Sequence, residues 1–381
     1  MAGSAIPGSF EEAAQALAAA AAGGHRVRIV GGGTKLAWGN PAAEPDLVLR
    51  TTGLDRTLEH NAGDLTAIVE AGAPLARVQA ELAEAGQRLA LDPPLGPPAS
   101  SDATVGGVFA TGDCGPLRHR YGLPRDLILG ITVALSDGTI AKAGGKVIKN
   151  VAGYDLAKLF TGSFGTLGLI LAVSVRLHPL PELTTTAHGT TADPQLLTAT
   201  ALRLAGAPLE LEALDLAWRD GRGGLLAQVA GAEAARRGRR IAELIEAAGL
   251  DDVGVSEDDA ILWARQRAGQ RSAGRAILRV AARPTELPAV LAAADRTGAT
   301  VVGRAGFGTS YLELDATAIP EAREGLPAGA ASVVLDAPEA ARGSTDVWSQ
   351  AERPPLELMH AVKARFDPAA VCNPGVFVDG I

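Results

Sequence analysis

Two neighbouring segments constrain the fold of this chain most strongly. Residues 149–156, Lys-Asn-Val-Ala-Gly-Tyr-Asp-Leu, are typical of a short helix, and residues 162–170, Gly-Ser-Phe-Gly-Thr-Leu-Gly-Leu-Ile, form a glycine-punctuated loop that runs into a strand. Because glycine has no side chain, such a loop leaves bare backbone amides beside a hydrophobic sheet. The pattern favours a site for a large, flat cofactor that carries phosphate, and a flavin fits that description best.

Composition excludes several classes of protein. A chain of 381 residues exceeds one ordinary core, so two domains are expected. The net charge of −8 argues against a nucleic-acid partner, because phosphate binding needs a basic face. The two cysteines, Cys114 and Cys372, lack Cys-x-x-Cys spacing, so we expect no zinc or iron–sulfur site in this chain and a reduced, cytoplasmic compartment.

The first half of the chain has an alternating α/β pattern. Ser9 and Glu12 have capping-box spacing, and Gly23 stands where the helix that they begin should end. Acidic residues precede this apolar helix, which is the reverse of a signal peptide, and we expect no membrane-spanning helix. Strands are predicted over residues 26–30, 46–50, 66–70, 88–91, 131–135, 139–143 and 169–177, and a second helix over 74–85.

A proline-containing stretch, residues 178–182, marks a boundary after which the pattern changes. Strands are predicted over 212–218, 225–229, 275–281, 300–303 and 310–314, and helices over 232–248 and 285–297. These two rounds of split β-α-β predict a ferredoxin-like sheet with helices on one face. We therefore expect a first domain over 1–182, a small second domain over 183–350, and a segment over 351–381 that returns to the first domain.

Two further segments carry binding chemistry. Residues 31–35, Gly-Gly-Gly-Thr-Lys, follow a strand directly, so their N–H groups can approach a pyrophosphate. Leu36 replaces the third glycine of the Rossmann pattern and no long helix follows, which disfavours a nicotinamide dinucleotide fold. Residues 101–112 are small and hydroxylated, which suits backbone wrapped around a ligand. A structural turn and a surface loop remain the respective alternatives.

The order of the three glycine segments resembles the vanillyl-alcohol oxidase and p-cresol methylhydroxylase (PCMH-type) flavoprotein family, and within it the FAD-binding subunits of glycolate oxidase, E-subunit type. The resemblance is strong over residues 10–182 and moderate over 183–350. It implies an α/β fold, α+β overall, with a PCMH-type two-subdomain FAD-binding domain and a small ferredoxin-like α+β cap domain.

The resemblance also implies which residues bind FAD. The family's pyrophosphate loop is matched by Gly31, Gly32, Gly33, Thr34 and Lys35, and the segment along the pyrophosphate and ribityl chain by Asp102, Ala103, Thr104, Gly106 and Gly107. The approach to the isoalloxazine is matched by Ala110, Thr111 and Gly112, and the adenine side by Gly165, Leu167, Gly168 and Ile170. The Asn-Pro-Gly tail contributes Asn373. A helix that ends at a proline turn is an equal alternative for Asn373.

Departures from the family pattern refine these expectations. Thr34 and Lys35 stand where covalent members carry a histidine, so we expect non-covalent FAD. The second domain has only His188, at its edge, and hence no expected metal site. The catalytic residues are not identified. Arg118, His119 and Arg120 in the first domain are candidates for a base and a carboxylate site, and Arg265 and Arg304 are candidates for a carboxylate clamp. Solvated surface positions are the alternative for each.

The resemblance implies a flavin subunit of a glycolate-type, 2-hydroxy acid oxidoreductase. Hydride would pass from the substrate α-carbon to flavin N5, and electrons would pass to an iron–sulfur subunit beside a larger flavin subunit. The alternatives are a standalone FAD-linked dehydrogenase or oxidase of another alcohol or hydroxy acid, and a non-catalytic electron-relay subunit. The expected location is cytoplasmic, with contact to the inner face of the cell membrane only through partners.

Overall fold

The computed structural model describes residues 2–95, 103–146, 155–349 and 355–381. Most of the predicted helix at 149–156 and Asp102 lie outside these ranges. The chain forms two compact units. The first comprises Met1–Cys114, Tyr121–Leu180 and Pro354–Ile381, and the second comprises Gly115–Arg120 and Pro181–Arg353.

The first unit contains two main sheets. Strands β1, β3 and β2 form a three-stranded parallel sheet, and β4, β5, β9, β7 and β8 form a five-stranded antiparallel one, with β6 and β10 as a separate pair. The elements of this part of the chain are β1 (Gly3–Ala5), α1 (Phe10–Ala22), β2 (Val27–Val30), β3 (Leu47–Arg50), β4 (Thr57–Asn61), β5 (Thr66–Glu70), α2 (Leu75–Ala83), β6 (Gln87–Arg88), α3 (Val105–Thr111), α4 (Arg118–Tyr121), α5 (Pro124–Leu127), β7 (Ile128–Ala134), β8 (Ile140–Gly144), α6 (Leu156–Phe160), β9 (Leu169–Arg176) and β10 (His178–Pro179).

The sequence signals account for most of these elements. The Ser9 side chain accepts a hydrogen bond from the Glu12 backbone N–H, and the apolar face of α1 buries Leu17, which confirms the predicted helix. The strand predicted over 88–91 is wrong beyond its first residue, because only Gln87 and Arg88 pair with β10. Sequence reasoning missed β4, whose mainly polar residues give no apolar alternation at the edge of the sheet.

The second unit is built around one eight-stranded antiparallel sheet of order β14-β11-β13-β12-β16-β17-β15-β18. Its elements are β11 (Thr184–Thr191), α7 (Pro194–Gly206), β12 (Ala213–Arg219), β13 (Arg222–Ala230), α8 (Ala234–Ala247), β14 (Asp251–Ser256), α9 (Ala260–Ala268), β15 (Ala276–Ala281), α10 (Leu287–Arg296), β16 (Thr300–Arg304), β17 (Thr309–Leu314), α11 (Ile319–Glu324), β18 (Ala331–Val334) and α12 (Glu339–Ser344). The helix that follows, α13 (Leu356–Phe366), belongs to the first unit.

The strand order shows two ferredoxin-like halves. In each half the chain runs β-α-β-β-α-β, and its fourth strand lies beside its first. The halves join through the antiparallel pair β12 and β16, where Arg304 lies opposite Asp215. Both side chains are buried, and the Arg304 guanidinium donates to an Asp215 carboxylate oxygen at 2.5 Å. The carboxylate-clamp prediction for Arg304 is therefore wrong, because this guanidinium is an internal ion-pair partner.

The two predicted rounds of β-α-β are confirmed, but each was incomplete. The first round begins earlier, at β11, whose Thr-rich sequence lacks the apolar alternation of a half-buried strand. The second round ends later, at β18, a strand of only four residues. Among the residues with described positions, no helix is long and apolar enough to cross a membrane.

The C-terminal tail is attached to the first unit by a buried charge cluster. Lys363 of α13 donates through Nζ to the Asp367 carboxylate at 2.7 Å, to the Thr166 carbonyl at 2.7 Å and to the Cys372 carbonyl at 3.0 Å. The Cys372 N–H donates to the same Asp367 carboxylate oxygen at 2.8 Å. The cluster thus connects the glycine loop before β9 with the tail that follows α13.

Substitution of Lys363 by Met should cost about 3–5 kcal/mol of unfolding free energy, because Asp367 would remain as a buried charge without its cation. The double variant Lys363→Met, Asp367→Leu should recover part of that loss. Urea unfolding at neutral pH measures both values. Equal stabilities of the wild type and the single variant would contradict the assigned role of the pair.

The same cluster predicts an acid dependence. Burial alone would raise the pKa of Asp367, but the hydrogen bond and positive charge of Lys363 and the Cys372 N–H outweigh it and hold the pKa below its ordinary value. The resulting stability is fully present above the unfolded-state pKa of the carboxyl and is lost as pH falls through the lower folded-state pKa. The wild type should therefore lose its advantage over the double variant on acidification.

Candidate functional site

The first unit contains a cavity that opens to solvent. Four separated parts of the chain supply most of its lining: β2 with the loop that follows, α3, the loop that leads into β9, and the C-terminal tail. Thr51 and Ala71 complete it. Three of these parts contain the glycine segments singled out in the sequence, and the fourth contains the Asn-Pro-Gly motif.

Most of the residues that the resemblance selects line this cavity. Those that line it are Gly31, Gly32, Gly33, Thr34, Lys35, Thr104, Gly106, Gly107, Ala110, Thr111, Gly165, Gly168, Ile170 and Asn373. Three others do not line it: Ala103 and Leu167 are buried, and Gly112 ends α3 with a left-handed φ of 65°. Asp102 lies outside the described residues. The individual contacts of these residues with a cofactor remain predictions.

The first glycine loop and α3 approach each other so closely that only glycine fits. A Cβ at Gly31 would lie 2.2 Å from the Thr104 hydroxyl oxygen, and a Cβ at Gly106 would lie 2.5 Å from the Ala71 side chain. The Thr104 hydroxyl accepts from the Gly107 N–H at 3.3 Å and so begins α3. The first glycine loop therefore packs against Thr104, and α3 packs against Ala71, which follows β5.

Asn373 joins the tail to the opposite side of the cavity. Its side-chain oxygen accepts from the Ile29 N–H of β2 at 2.7 Å, and its side-chain nitrogen donates to the Phe164 carbonyl at 2.6 Å. The residue has a φ of 42°, and a Cβ at Gly165 would lie 2.8 Å from its amide nitrogen. Both the oxygen and the nitrogen of the Asn373 side-chain amide thus hold the walls of the cavity in position.

The described lining of the cavity carries positive charge. It includes Arg28 and Lys35 and contains no aspartate or glutamate. Lys35 Nζ lies 3.2 Å from a carboxylate oxygen of Asp113, with both side chains buried, and 5.7 Å from the ring centre of Trp38. Burial lowers the pKa of Arg28, although Glu44 acts in the opposite direction. Such a lining suits an anionic ligand, since glycine amides and cations both favour phosphate.

Sequence reasoning missed several lining residues, among them Arg28, Trp38, Phe164 and Val376. Arg28 had a usable signal, because it is a charged residue within the otherwise apolar strand β2. Phe164 has a φ of 55°, a conformation that the flanking glycines of its loop suggest only indirectly. Trp38 and Val376 carried no signal that distinguishes a cavity wall from a core.

The candidates Arg118, His119 and Arg120 lie elsewhere than predicted. Residues 115–120 group with the second unit and not with the first. There, Arg118 donates to the Thr309 hydroxyl at 3.3 Å, and the His119 ring meets Phe307 edge-on at 5.6 Å. Burial lowers the pKa of His119. Arg120 pairs with Glu212 at 3.3 Å. Arg265 is exposed on α9.

Comparison with known proteins assigns the cofactor. Residues 1–144 match the family model of an FAD binding domain. This chain carries an FAD-binding domain. The cavity takes part of its lining from residues 164–170 and the tail, beyond the matched range, and its glycines and two cations fit that cofactor, because backbone amides and cations both favour phosphate.

Several relatives share the domain. The chain is 38% identical over 160 residues to glycolate oxidase subunit GlcD of Bacillus subtilis, covering 42% of this chain and 33% of that protein. It is 40% identical over 119 residues to glycolate oxidase subunit GlcE of Escherichia coli, covering 31% of this chain and 33% of that protein. The matches to these two relatives thus span about a third of their length. An uncharacterized FAD-linked oxidoreductase of Mycobacterium tuberculosis is 28% identical, over 97% of this chain and 89% of its own.

A solved structure supports the fold. Alkyldihydroxyacetonephosphate synthase superposes with a TM-score of 0.71 at 14% identity, over 97% of this chain and 75% of that one. At this identity the similarity concerns the fold alone. Together with the family match it confirms the mixed α/β, PCMH-type FAD-binding fold expected from the sequence.

Substitution of Gly107 by Asp should weaken FAD binding at least about a hundredfold, because a carboxylate would be placed in the wall of a cavity that receives phosphate. Gly145→Asp is the matched control, since a side chain there meets open space and the residue does not line the cavity. FAD titration of the apoprotein, followed by flavin fluorescence, measures both. Unchanged affinity in a folded Gly107→Asp variant would show that the cavity is not the FAD site.

Proposed function

We propose that this chain is an FAD-dependent oxidoreductase of 2-hydroxy acids of the glycolate type and acts as the FAD-binding subunit of a larger complex. The observation that carries the proposal is the convergence of separate chain segments on one positively lined cavity, to which the matched FAD-binding domain contributes the first glycine loop and α3. Relatives of that domain are named glycolate oxidase subunits, which supports the substrate class and the existence of partners.

The cavity residues bind and orient in this proposal. Gly31–Gly33 present backbone amides to the diphosphate, with Thr34 and Lys35 beside it. The Thr104–Gly107 turn lines the site, while its Val105, Gly106 and Gly107 N–H groups donate to Ala73, Ala71 and Thr104. Ala110 and Thr111 approach the isoalloxazine. Asn373, through its bonds to Ile29 and Phe164, keeps the adenine side closed. Bound FAD would accept a hydride from the substrate α-carbon at N5.

The electrons then need an acceptor outside the described chain. Cys114 and Cys372 are both buried, and the sequence has neither Cys-x-x-Cys clusters nor a dinucleotide fingerprint. An iron–sulfur subunit, beside a larger flavin subunit, is the acceptor that we propose. Such a complex would bring the chain to the inner face of the cell membrane through its partners.

The purified chain should be yellow and release its flavin on acid precipitation. Thr34 and Lys35 occupy the positions at which covalent members of the family have a histidine, so no bond should hold the FAD in the pellet. Absorbance of supernatant and pellet separates the outcomes. Flavin that stays with the precipitated protein would contradict the non-covalent assignment.

Glycolate or D-lactate, added without oxygen to the FAD-loaded chain in its native complex, should bleach the flavin absorbance. A low-salt pull-down from the native cell extract should recover an iron–sulfur protein together with the chain. Bleaching of the isolated chain followed by rapid reoxidation by oxygen would favour a standalone oxidase. Retained FAD that no hydroxy acid reduces, in the complex or alone, would favour an electron-relay subunit.

A further inference from the structure

Arg28 is a cation that lines the cavity and has no direct partner among the residues that the structure describes. It lies in the middle of β2, is half-buried, and belongs to the cavity wall. Within the described ranges, no side chain or carbonyl forms a hydrogen bond or ion pair with its guanidinium, and Glu44 acts on it only as a nearby exposed charge. A guanidinium presents five N–H donors, so this environment leaves them for water or a ligand.

Two other cations of the first unit are satisfied by protein groups. Arg56 forms two hydrogen bonds with the Glu70 carboxylate, at 2.9 and 3.2 Å. Lys35, on the same cavity wall as Arg28, is offset by Asp113 at 3.2 Å. The charge of Lys35 is therefore largely balanced within the protein. The positive charge that the cavity offers to an anion comes mainly from Arg28.

Burial of an unpaired cation is unfavourable, and it lowers the pKa of Arg28. An anion in the cavity would remove this penalty by pairing with the guanidinium. Phosphate oxygens match the planar fork of arginine and can accept two parallel hydrogen bonds. The neighbour of Arg28 along β2, Ile29, is bound to Asn373 and through it to the loop of Phe164. Arg28 thus lies where β2, the tail and this loop meet.

We propose that Arg28 is a cofactor-binding residue that pairs with the diphosphate of FAD and supplies the charge selectivity of the cavity. The proposal rests on the assignment of this cavity to FAD. It extends that assignment, because the glycine loops bind any phosphate through backbone amides, whereas Arg28 makes a side-chain contribution that substitution can remove. ADP carries the same diphosphate as FAD, so the affinity of the cavity for ADP should also depend on Arg28.

The test compares Arg28→Gln and Arg28→Lys with the control Arg26→Gln. Arg26 lies two residues earlier, pairs with Asp46 at 3.3 Å, and does not line the cavity. Titration of each apoprotein with FAD, ADP and riboflavin gives the dissociation constants. Arg28→Gln should raise those for FAD and ADP about tenfold or more and leave that for riboflavin unchanged. The dissociation constants of Arg28→Lys should lie between those of the wild type and of Arg28→Gln, and those of Arg26→Gln should match the wild type.

A second measurement keeps the test decisive if riboflavin binds too weakly to titrate. The dissociation constant of FAD should depend less steeply on salt in Arg28→Gln than in the wild type, because one ionic contact is missing. FAD and ADP affinities within twofold of the wild type, or an equal loss for riboflavin, would overturn the role of Arg28. A wild-type chain that binds no FAD would instead refute the assignment of the cavity.

Discussion

The cavity depends on the two hydrogen bonds of the Asn373 side chain. One amide end holds β2 through Ile29 and the other holds the glycine loop through Phe164, so the C-terminal tail closes a site whose other walls come from distant parts of the sequence. The Lys363–Asp367 pair keeps the tail in place for this purpose. Because both contacts are buried and polar, loss of either partner leaves unsatisfied groups, which makes the closed arrangement specific.

The chemistry of the cavity walls follows from the lack of side chains at the glycines as well as from the cations that line the cavity. Gly31 and Gly106 lie where a Cβ would collide with the neighbouring segment, so the segments around the cavity can pack closely together. Lys35 is balanced by Asp113, which leaves Arg28 as the cation with charge to offer. We propose that such a site recognises a phosphate-bearing dinucleotide by shape and charge.

The sequence predicted the parts of the site that depend on backbone chemistry. The glycine segments and the Asn-Pro-Gly tail were identifiable because glycine spacing and motif order are local properties of the chain. Asp113 and the tail-anchoring role of Lys363 were not, because each is defined by a partner distant in sequence. The strand pairing of Arg304 with Asp215 shows the same limit, since a lone arginine in a sequence gives no sign that it will be buried opposite a carboxylate.

A crystal structure of the FAD-loaded chain would show where the cofactor binds. We expect electron density for the diphosphate against Gly31–Gly33 and the Thr104–Gly107 turn, with the Arg28 guanidinium in contact with it and Asn373 bonded as described. Density for FAD at any other surface, or in this cavity with its diphosphate away from both glycine segments, would contradict that expectation.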